Sequence, residues 1–258
     1  DQAQRWLQGY PPQERHIPLK RVQDALQAYW EHQGMHAPHY ELPPVLNHAG
    51  QYALPKSDPG SLAYTFTFGG AAFFVMDTRT MRVRNRRQRS MLGEGQWKAL
   101  ENWLLCIKDA YPVKFLVSSC ALLFNMWLDI PRDRWSGFPR ERERLLRFLA
   151  QNEIEDVYLL AGDLHSAHAV YAELNGPGDQ IIPLWEFCST PFEQVPNTLA
   201  RYTYRAPRSA MVRSQKLYFT IAAYNFGVVR VIYGSSGRAR VHFELYGQDG
   251  DLLAEAGE

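Results

Sequence analysis

One stretch decides the fold class of this chain: Asp156-Val157-Tyr158-Leu159-Leu160-Ala161-Gly162-Asp163-Leu164-His165. Its apolar run shows no alternation with polar residues, which is typical of a strand buried on both faces of a parallel sheet. Polar groups that directly follow such a strand lie at the carboxyl edge of the sheet, where functional groups gather in α/β proteins. The stretch therefore predicts an α/β fold with a candidate site at Asp163 and His165.

The segments around this strand alternate between helix and strand patterns. Apolar spacing predicts helices at Glu94–Lys108 and Arg140–Gln151 and a strand at Val113–Ser119. A further apolar strand, Ile181–Cys188, contains the acidic residue Glu186. This order of elements favours a layered α/β sheet.

The amino-terminal part predicts a helix, a loop and a hairpin. The helix covers Pro18–Gln33, and the Pro-rich stretch Glu41–Gly60 predicts an irregular loop. In the hairpin, Gly69-Gly70 forms the turn and Ala71–Asp77 the return strand. The first strand is expected to be half-buried through an alternating apolar side formed by Leu62, Tyr64, Phe66 and Phe68.

The tail of the chain predicts a β-rich segment. Alternating apolar residues mark strands at Leu217–Ile221, Val228–Tyr233 and Arg240–Tyr246. No repeat and no long linker separates these strands from the preceding part, so we expect one domain over residues 1–258.

Composition and charge narrow the function classes. Hydrophobic residues make up 46% and charged residues 21% of the chain, as in ordinary globular proteins. The net charge of +1 gives no overall attraction to nucleic acid or membrane, and no apolar run reaches the ~18 residues of a membrane span. The three cysteines have no paired spacing, which argues against a disulfide framework and slightly favours the cytoplasm.

The Gly162–Ser166 turn carries the candidate chemistry. A carboxylate at Asp163 and an imidazole at His165 can point at one centre and together suit a divalent or ferric ion. His168 adds a second imidazole three residues later. A Gly-Asp pair after a strand is also a common plain turn, so these residues alone leave both interpretations open.

Five short motifs, this turn among them, stand in an informative order along the chain. They are Asp77-Thr78-Arg79-Thr80-Met81-Arg82, Met91-Leu92-Gly93 with Gln96 and Trp97, Asp133-Arg134-Trp135-Ser136-Gly137-Phe138 with Arg142, Gly162-Asp163-Leu164-His165-Ser166, and Trp185-Glu186-Phe187 with Ser189. In this order the motifs resemble the PhoD-like (alkaline phosphatase D) family of calcineurin-type metallophosphoesterases. The resemblance implies the carboxyl-terminal half of an α/β/β/α sandwich that hydrolyses phosphate mono- or diesters with a metal-activated water.

The resemblance implies metal-binding roles for two residues, and positions along the chain suggest roles for the others. Asp163 and His165 would bind metal in a two-metal site, in which Ca, Fe, Mn and Zn are not distinguished. Arg79 would bind the phosphoryl group bidentately, and with Asp163 and His165 it completes the predicted catalytic set. Further substrate contacts would come from Asp133, Trp135 and Arg142, and supporting contacts behind the ligands from Asp77, His168 and Glu186.

Several of these residues also have a plain structural interpretation. Trp135 can anchor its loop, while Asp133 caps a turn and Arg142 pairs with a glutamate along its helix. Asp77 and Arg79 can form a pair that fixes the arginine-rich segment. Ser118 and Ser119 stand where related enzymes place a metal or phosphate contact, but they are not plain ligands.

The other ligand motifs of the superfamily have no counterpart in residues 1–76, and the chain begins at Asp1. We therefore expect a domain that is incomplete on its amino-terminal side and inactive as residues 1–258 alone.

The alternative function is a non-catalytic binding or scaffold protein with the same fold. Its support is the arginine-rich segment Arg79–Arg89, which could contact nucleic acid as a substrate or weak partner. The segment has no aromatic residue between Met81 and Ser90 on which a base could stack, so a solvated loop is the simpler interpretation.

Overall fold

The computed structural model of the chain describes residues 24, 25, 27–29, 31, 32, 62–84, 89–127, 134–234 and 238–257. The predicted amino-terminal helix is confirmed at its described positions between Asp24 and His32. The predicted loop Glu41–Gly60 lies outside the described residues, and so does Asp133. Arg86, Arg87 and the side chain of Arg84 are also outside, so the structure describes the arginine-rich segment only in part.

The chain divides into two compact units. One consists of Asp1–Phe66 and Val75–Trp103, and the other of Thr67–Phe74 and Leu104–Glu258. The first contains the motif Asp77–Arg82, which has the pattern D-x-R-x-x-R, whereas the second contains the Gly162–Ser166 turn. The expectation of one domain over residues 1–258 stays a prediction.

The elements follow one another in a mixed order. After the amino-terminal helical residues, the helices are α1 (Gly93–Ile107), α2 (Pro139–Gln151) and α3 (Ala200–Thr203), with single 3₁₀ turns at Trp135–Gly137 and Pro177–Asp179. The strands are β1 (Tyr64–Phe68), β2 (Ala71–Val75), β3 (Val83–Arg84), β4 (Arg89–Ser90), β5 (Val113–Val117), β6 (Asn125–Met126), β7 (Val157–Ala161), β8 (Ala167–Asn175), β9 (Ile181–Cys188), β10 (Tyr204–Arg205), β11 (Val212–Ile221), β12 (Asn225–Tyr233), β13 (Ala239–Gly247) and β14 (Leu252–Gly257).

A seven-stranded sheet with the order β1-β2-β5-β7-β9-β8-β11 forms the centre of the fold. Strands β5, β7 and β9 run parallel, so their carboxyl ends meet at the same edge. On one side of them β8 pairs antiparallel with β9, and β11 pairs antiparallel with β8. The predicted α/β sheet is confirmed, and β7 lies between two parallel neighbours as its unbroken apolar run predicts.

A second sheet packs against one face of the central sheet and confirms the β-rich tail. It has the order β12-β13-β14, with antiparallel pairing throughout. Aromatic rings join the two sheets: Phe187 of β9 stacks on Phe243 of β13 with 4.9 Å between ring centroids. Ala167 and Ala169 of β8 belong to the same buried cluster, where their small side chains leave room for these rings.

Helix α2 lies on the other face of this unit. Alternate residues of a strand point to opposite faces, so His168 and Glu186 point away from the inter-sheet core. Helix α2 contacts β8 and buries Leu145 and Leu149, and its Arg142 lies close enough for the charge of Glu186 to act on it. This face therefore combines an apolar helix contact with buried polar groups.

The hairpin is confirmed, but the predicted apolar side of its first strand is wrong. The buried residues are Ala63 and Thr65, whereas Phe68 is 80% exposed. β1 is the edge strand of the sheet, and its aromatic side stays partly open to solvent. Tyr64 and Phe66 stack on each other there, with ring centroids 6.2 Å apart.

The contact between the two sheets depends on a glycine. A Cβ atom added at Gly227 would lie 2.5 Å from Phe243 Cε2 and 2.9 Å from Ser189 Cβ. At Gly95, on the exposed side of α1, a Cβ would meet nothing within 4 Å.

We expect Gly227→Ala to lower the free energy of unfolding by about 1–3 kcal/mol, because overpacking displaces the Phe243 ring. The matched variant Gly95→Ala should raise it by about 0.5–1 kcal/mol, since alanine loses less entropy than glycine in a helix. Urea unfolding of both variants measures the difference. Equal stabilities for the two alanine variants would contradict this account of the inter-sheet contact.

Candidate functional site

The carboxyl ends of β5, β7 and β9 meet around Gly162. A Cβ atom at this glycine would lie 3.6 Å from the carbonyl oxygen of Ser119 and 3.6 Å from Thr190 Cγ2. Ser119 follows β5 and Thr190 follows β9, so the turn after β7 lies between the ends of its two parallel neighbours. This is the edge of the sheet at which the sequence predicts the site.

The backbone of this turn is left-handed at two positions. Asp163 has φ 63° and His165 has φ 57°. Leu164 between them is buried, whereas Asp163 is exposed and His165 half-buried. Asp and His tolerate this conformation better than most residues, and such strained backbone is concentrated at functional sites. The turn thus anchors its leucine inward and leaves the carboxylate and the imidazole accessible.

The imidazole of His165 is held by a backbone carbonyl. Its Nδ1–H donates to the carbonyl oxygen of Val195 at 3.0 Å, because a carbonyl can only accept. The neutral ring then carries its lone pair on Nε2. Metal-binding histidines commonly have this arrangement, in which the other ring nitrogen donates to a carbonyl or carboxylate. The chemistry of His165 and the neighbouring carboxylate of Asp163 therefore fits a metal ion.

The segment that follows β9 also holds the backbone of the turn. The N–H of Asn197 donates to the carbonyl oxygen of His165 at 2.6 Å. The side-chain amide of Asn197 donates to the carbonyl oxygen of Leu164 at 3.4 Å. Together with the Val195 contact, these bonds fix the turn from one side.

The ligand set within the described part of the chain is small. No group of three or more His, Cys, Asp or Glu side chains is placed there to hold a metal ion.

Two buried thiols lie within the electrostatic reach of Asp163. Burial raises the pKa of the Cys120 thiol to about 11, and the charge of Asp163 adds to the rise. Burial likewise raises the pKa of Cys188 far above its ordinary value, with a further contribution from Glu186. Both thiols therefore stay protonated at neutral pH in the absence of a metal ion.

Glu186 occupies the interior behind the turn. Its Oε2 accepts the N–H groups of Leu122 at 2.5 Å and Leu123 at 2.9 Å. Its Oε1 lies 3.0 Å from Nε2 of His168, which also stacks on the ring of Phe124. Glu186 and His168 are both fully buried. Glu186 therefore bonds His168 and the loop after β5. The imidazole of His165 instead bonds the carbonyl oxygen of Val195.

Arg142 belongs to the same buried polar group. It is only 4% exposed, and its NH1 donates to Asn125 Oδ1 at 3.0 Å. Burial lowers the pKa of its guanidinium to about 10, and the negative charges of Glu186 and Glu143 oppose that shift. The ion pair along α2 joins Arg147 to Glu143 instead. Arg142 thus neither faces solvent nor forms the helical pair expected as its structural alternative.

The contacts of Trp135 agree with its structural interpretation as a loop anchor. Its side chain is fully buried, and its indole N–H donates to Ser118 Oγ at 3.1 Å. The hydroxyl of Ser118 in turn donates to the carbonyl oxygen of Cys120 at 2.7 Å. Trp135 therefore anchors the segment after β5, and its burial does not support contact with substrate. Asp133 lies outside the described residues, so its expected role stays a prediction.

The D-x-R-x-x-R motif lies in the other compact unit, where Asp77 organises the chain after β2. One carboxylate oxygen of Asp77 accepts the N–H groups of Arg79 and Thr80, both at 2.9 Å. The other accepts the N–H of Leu62 at 2.8 Å and the hydroxyl of Thr80. Gln96 bonds both backbone groups of Asp77. Asp77 is thus structural, while the Arg79 side chain is exposed.

Reasoning from the sequence missed the segment that holds His165. No motif marks Val195, whose backbone carbonyl is the contacting group, because a backbone contact leaves no side-chain signal. Asn197 had a weak signal, since Asn is common in turns and its side chain accepts the N–H of Leu199.

The chain combines a two-sheet α/β architecture with an Asp-His turn at the sheet edge. A solved structure titled "Structure of PhoD" shares the fold, with a TM-score of 0.56 and 19% identity over 96% of this chain and 50% of that chain. Residues 3–243 match the family described as PhoD-like phosphatase. The chain belongs to this family, which confirms the resemblance and the metallophosphoesterase-like fold.

Two further similarities were found. Alkaline phosphatase D of Bacillus subtilis (strain 168) is 26% identical over 167 residues, which cover 56% of this chain and 26% of the relative. The chain thus matches about a quarter of that relative's length. A purple acid phosphatase from yellow lupin (Lupinus luteus) seeds has a TM-score of 0.46 at 11% identity, over 79% of this chain and 34% of that chain.

Within the described ranges, no helix is long and apolar enough to cross a membrane.

We expect Glu186→Ala to lower the free energy of unfolding by about 3–5 kcal/mol, because His168 and two backbone N–H groups lose their acceptor. Glu186→Gln should recover part of this loss, since its amide oxygen can still accept. Glu193→Ala, at an exposed position, is the control and should change stability by less than about 0.5 kcal/mol. If urea unfolding showed the same stability for Glu186→Ala and the control, the buried carboxylate would not hold this region.

Proposed function

We propose that this chain forms part of a metal-dependent hydrolase of phosphate mono- or diesters. The observation that carries the proposal is the Asp163–His165 turn, which presents a carboxylate and an imidazole with a carbonyl-bound Nδ1–H at the carboxyl edge of the sheet. Membership of the PhoD-like phosphatase family supports a phosphate ester as the substrate.

Asp163 and His165 would hold metal through a carboxylate oxygen and Nε2, respectively. A bound metal ion lowers the pKa of its water and polarises a phosphoryl oxygen. The contribution of this chain is to fix the orientation of the two ligands. The Val195 carbonyl sets the tautomer of His165, and Asn197 holds the backbone between the ligands.

A two-metal site needs more ligands than the described residues bring together. The intact enzyme would supply them from positions beyond the Asp163–His165 turn. The expectation that residues 1–258 alone give no turnover stays a prediction, and so do the identities of the metals.

Arg79 is our candidate for binding the phosphoryl group. Its backbone N–H is fixed by Asp77, and its side chain is exposed. A guanidinium can bind two phosphoryl oxygens at once and stabilise the charge that develops on them. The non-catalytic scaffold alternative is not favoured by the family match.

We expect His165→Ala to reduce the metal content of the intact purified protein, because the Nε2 ligand is lost. His242→Ala is the matched control: His242 lies on β13, is partly exposed and contacts Glu255 at 3.3 Å. Elemental analysis after dialysis measures bound metal, and melting temperatures show that both variants are folded. Equal metal content in His165→Ala and His242→Ala would refute the assignment of His165 as a ligand.

Arg79→Lys should lower the turnover of an aryl phosphate by about tenfold or more, because an ammonium cannot bind two oxygens bidentately. Metal content and melting temperature should stay near their wild-type values. Steady-state kinetics with p-nitrophenyl phosphate measures the effect. A large drop in melting temperature with little loss of turnover would instead assign Arg79 a structural role.

A further inference from the structure

An exposed surface of aromatic and arginine side chains adjoins the His165 turn. It consists of Trp127, Arg201, Tyr202 and Arg205, and we call it the aromatic platform. Trp127 is 63% exposed and Tyr202 is 74% exposed. The guanidinium carbon of Arg205 lies 5.4 Å from the centre of the Trp127 ring, and that of Arg201 lies 4.8 Å from the centre of the Tyr202 ring. Each arginine thus stacks on an aromatic ring that still faces solvent.

One residue links the strand next to this platform, β6, to the candidate metal ligand. Asn197 donates its backbone N–H to the carbonyl oxygen of His165, and its side-chain amide contacts Met126 Sδ at 3.8 Å. Trp127 follows Met126, and its N–H donates to the carbonyl oxygen of Thr203 at 2.7 Å. The pairing of β6 with β10 continues this connection to Arg205. The platform and the His165 turn are therefore two parts of one hydrogen-bonded region.

The charge of this region suits an anionic ligand. Residues 194–213 contain four arginines, at positions 201, 205, 208 and 213, and no acidic residue or lysine. The segment Arg201-Tyr202-Thr203-Tyr204-Arg205 places aromatic rings between the basic residues. This is the interleaved pattern that the arginine-rich segment Arg79–Arg89 lacks, and it favours ligands that carry both a phosphate and a flat ring.

We propose that the aromatic platform binds a flat aromatic ring on the ester group of a phosphodiester substrate, while the phosphoryl group lies at Asp163 and His165. The proposal rests on the function proposed above and adds a substrate class to it. The exposed rings offer a stacking surface for the substrate, and the arginines that already stack on them attract its negative charge. A phosphodiester retains one negative charge and two ester groups, so one group can leave while the other lies on the platform.

The test uses three diesters with the same leaving group, p-nitrophenol, on the intact protein. Bis(p-nitrophenyl) phosphate retains an aryl group, thymidine 5′-(p-nitrophenyl phosphate) retains a nucleobase, and methyl p-nitrophenyl phosphate retains no ring. We expect Trp127→Ala to lower the kcat/KM of an aromatic diester, relative to that of the methyl diester, by about tenfold. The ester whose kcat/KM falls more in Trp127→Ala, aryl or thymidine, identifies which kind of ring the platform binds.

Tyr218→Ala is the matched control. Tyr218 is also an exposed aromatic residue with a stacked cation, since Lys216 Nζ lies 4.1 Å from its ring centre, but it is on β11 and packs on Trp185. This variant should leave the ratios between the three substrates at wild-type values. Equal losses for all three substrates in Trp127→Ala, with a lower melting temperature, would show that Trp127 packs against protein and would overturn the proposal. Unchanged ratios would overturn it as well.

A binding measurement separates this proposal from the proposed activity. Calorimetry on protein treated with a chelator compares diphenyl phosphate with diethyl phosphate, neither of which is turned over under these conditions. Tighter binding of diphenyl phosphate, lost in Trp127→Ala but kept in Tyr218→Ala, supports the platform even if the intact protein hydrolyses no ester. Equal affinity for the two diesters overturns it.

Discussion

The carboxylate of Glu186 is the constraint on which the region behind the Asp163–His165 turn depends. A buried charge is costly unless it is paired and hydrogen-bonded, and here both oxygens have partners. These partners join β9 to the loop after β5 and to His168 on β8, while the charge of Glu186 also acts on Arg142. One side chain thus connects β9, β8 and the loop after β5, and its charge reaches α2.

Much of the fold could be predicted because burial on both faces leaves a clear signal. Strands β5, β7 and β9 have apolar runs, and α1 has the regular spacing of Trp97, Leu100 and Leu104. Strand β8 was missed, because its inward residues Ala167 and Ala169 are too small to mark a strand. The apolar side of β1 was predicted wrongly, since an apolar pattern shows which side is hydrophobic but not whether a neighbour covers it.

The candidate site was predictable only in part. The strand before Asp163 and His165 predicted where these two residues lie. It did not predict that His165 and His168 would point in different directions. His165 belongs to the turn and is fixed by a carbonyl, but His168 has entered β8 and points into the interior. Side-chain spacing alone cannot show this, because the change from turn to strand between them decides the direction of each ring. The aromatic platform had a readable signal in its alternating Arg and Tyr residues.

The left-handed backbone at Asp163 and His165 limits how the turn could be redesigned. A ligand set is usually altered by exchanging one donor residue for another, such as cysteine or glutamate for histidine. At these two positions the incoming residue must also adopt a positive φ, which disfavours β-branched and bulky side chains. Asparagine and aspartate are the donors that tolerate it best. Attempts to engineer a different metal preference at this edge would therefore be limited to a few residue types with oxygen donors.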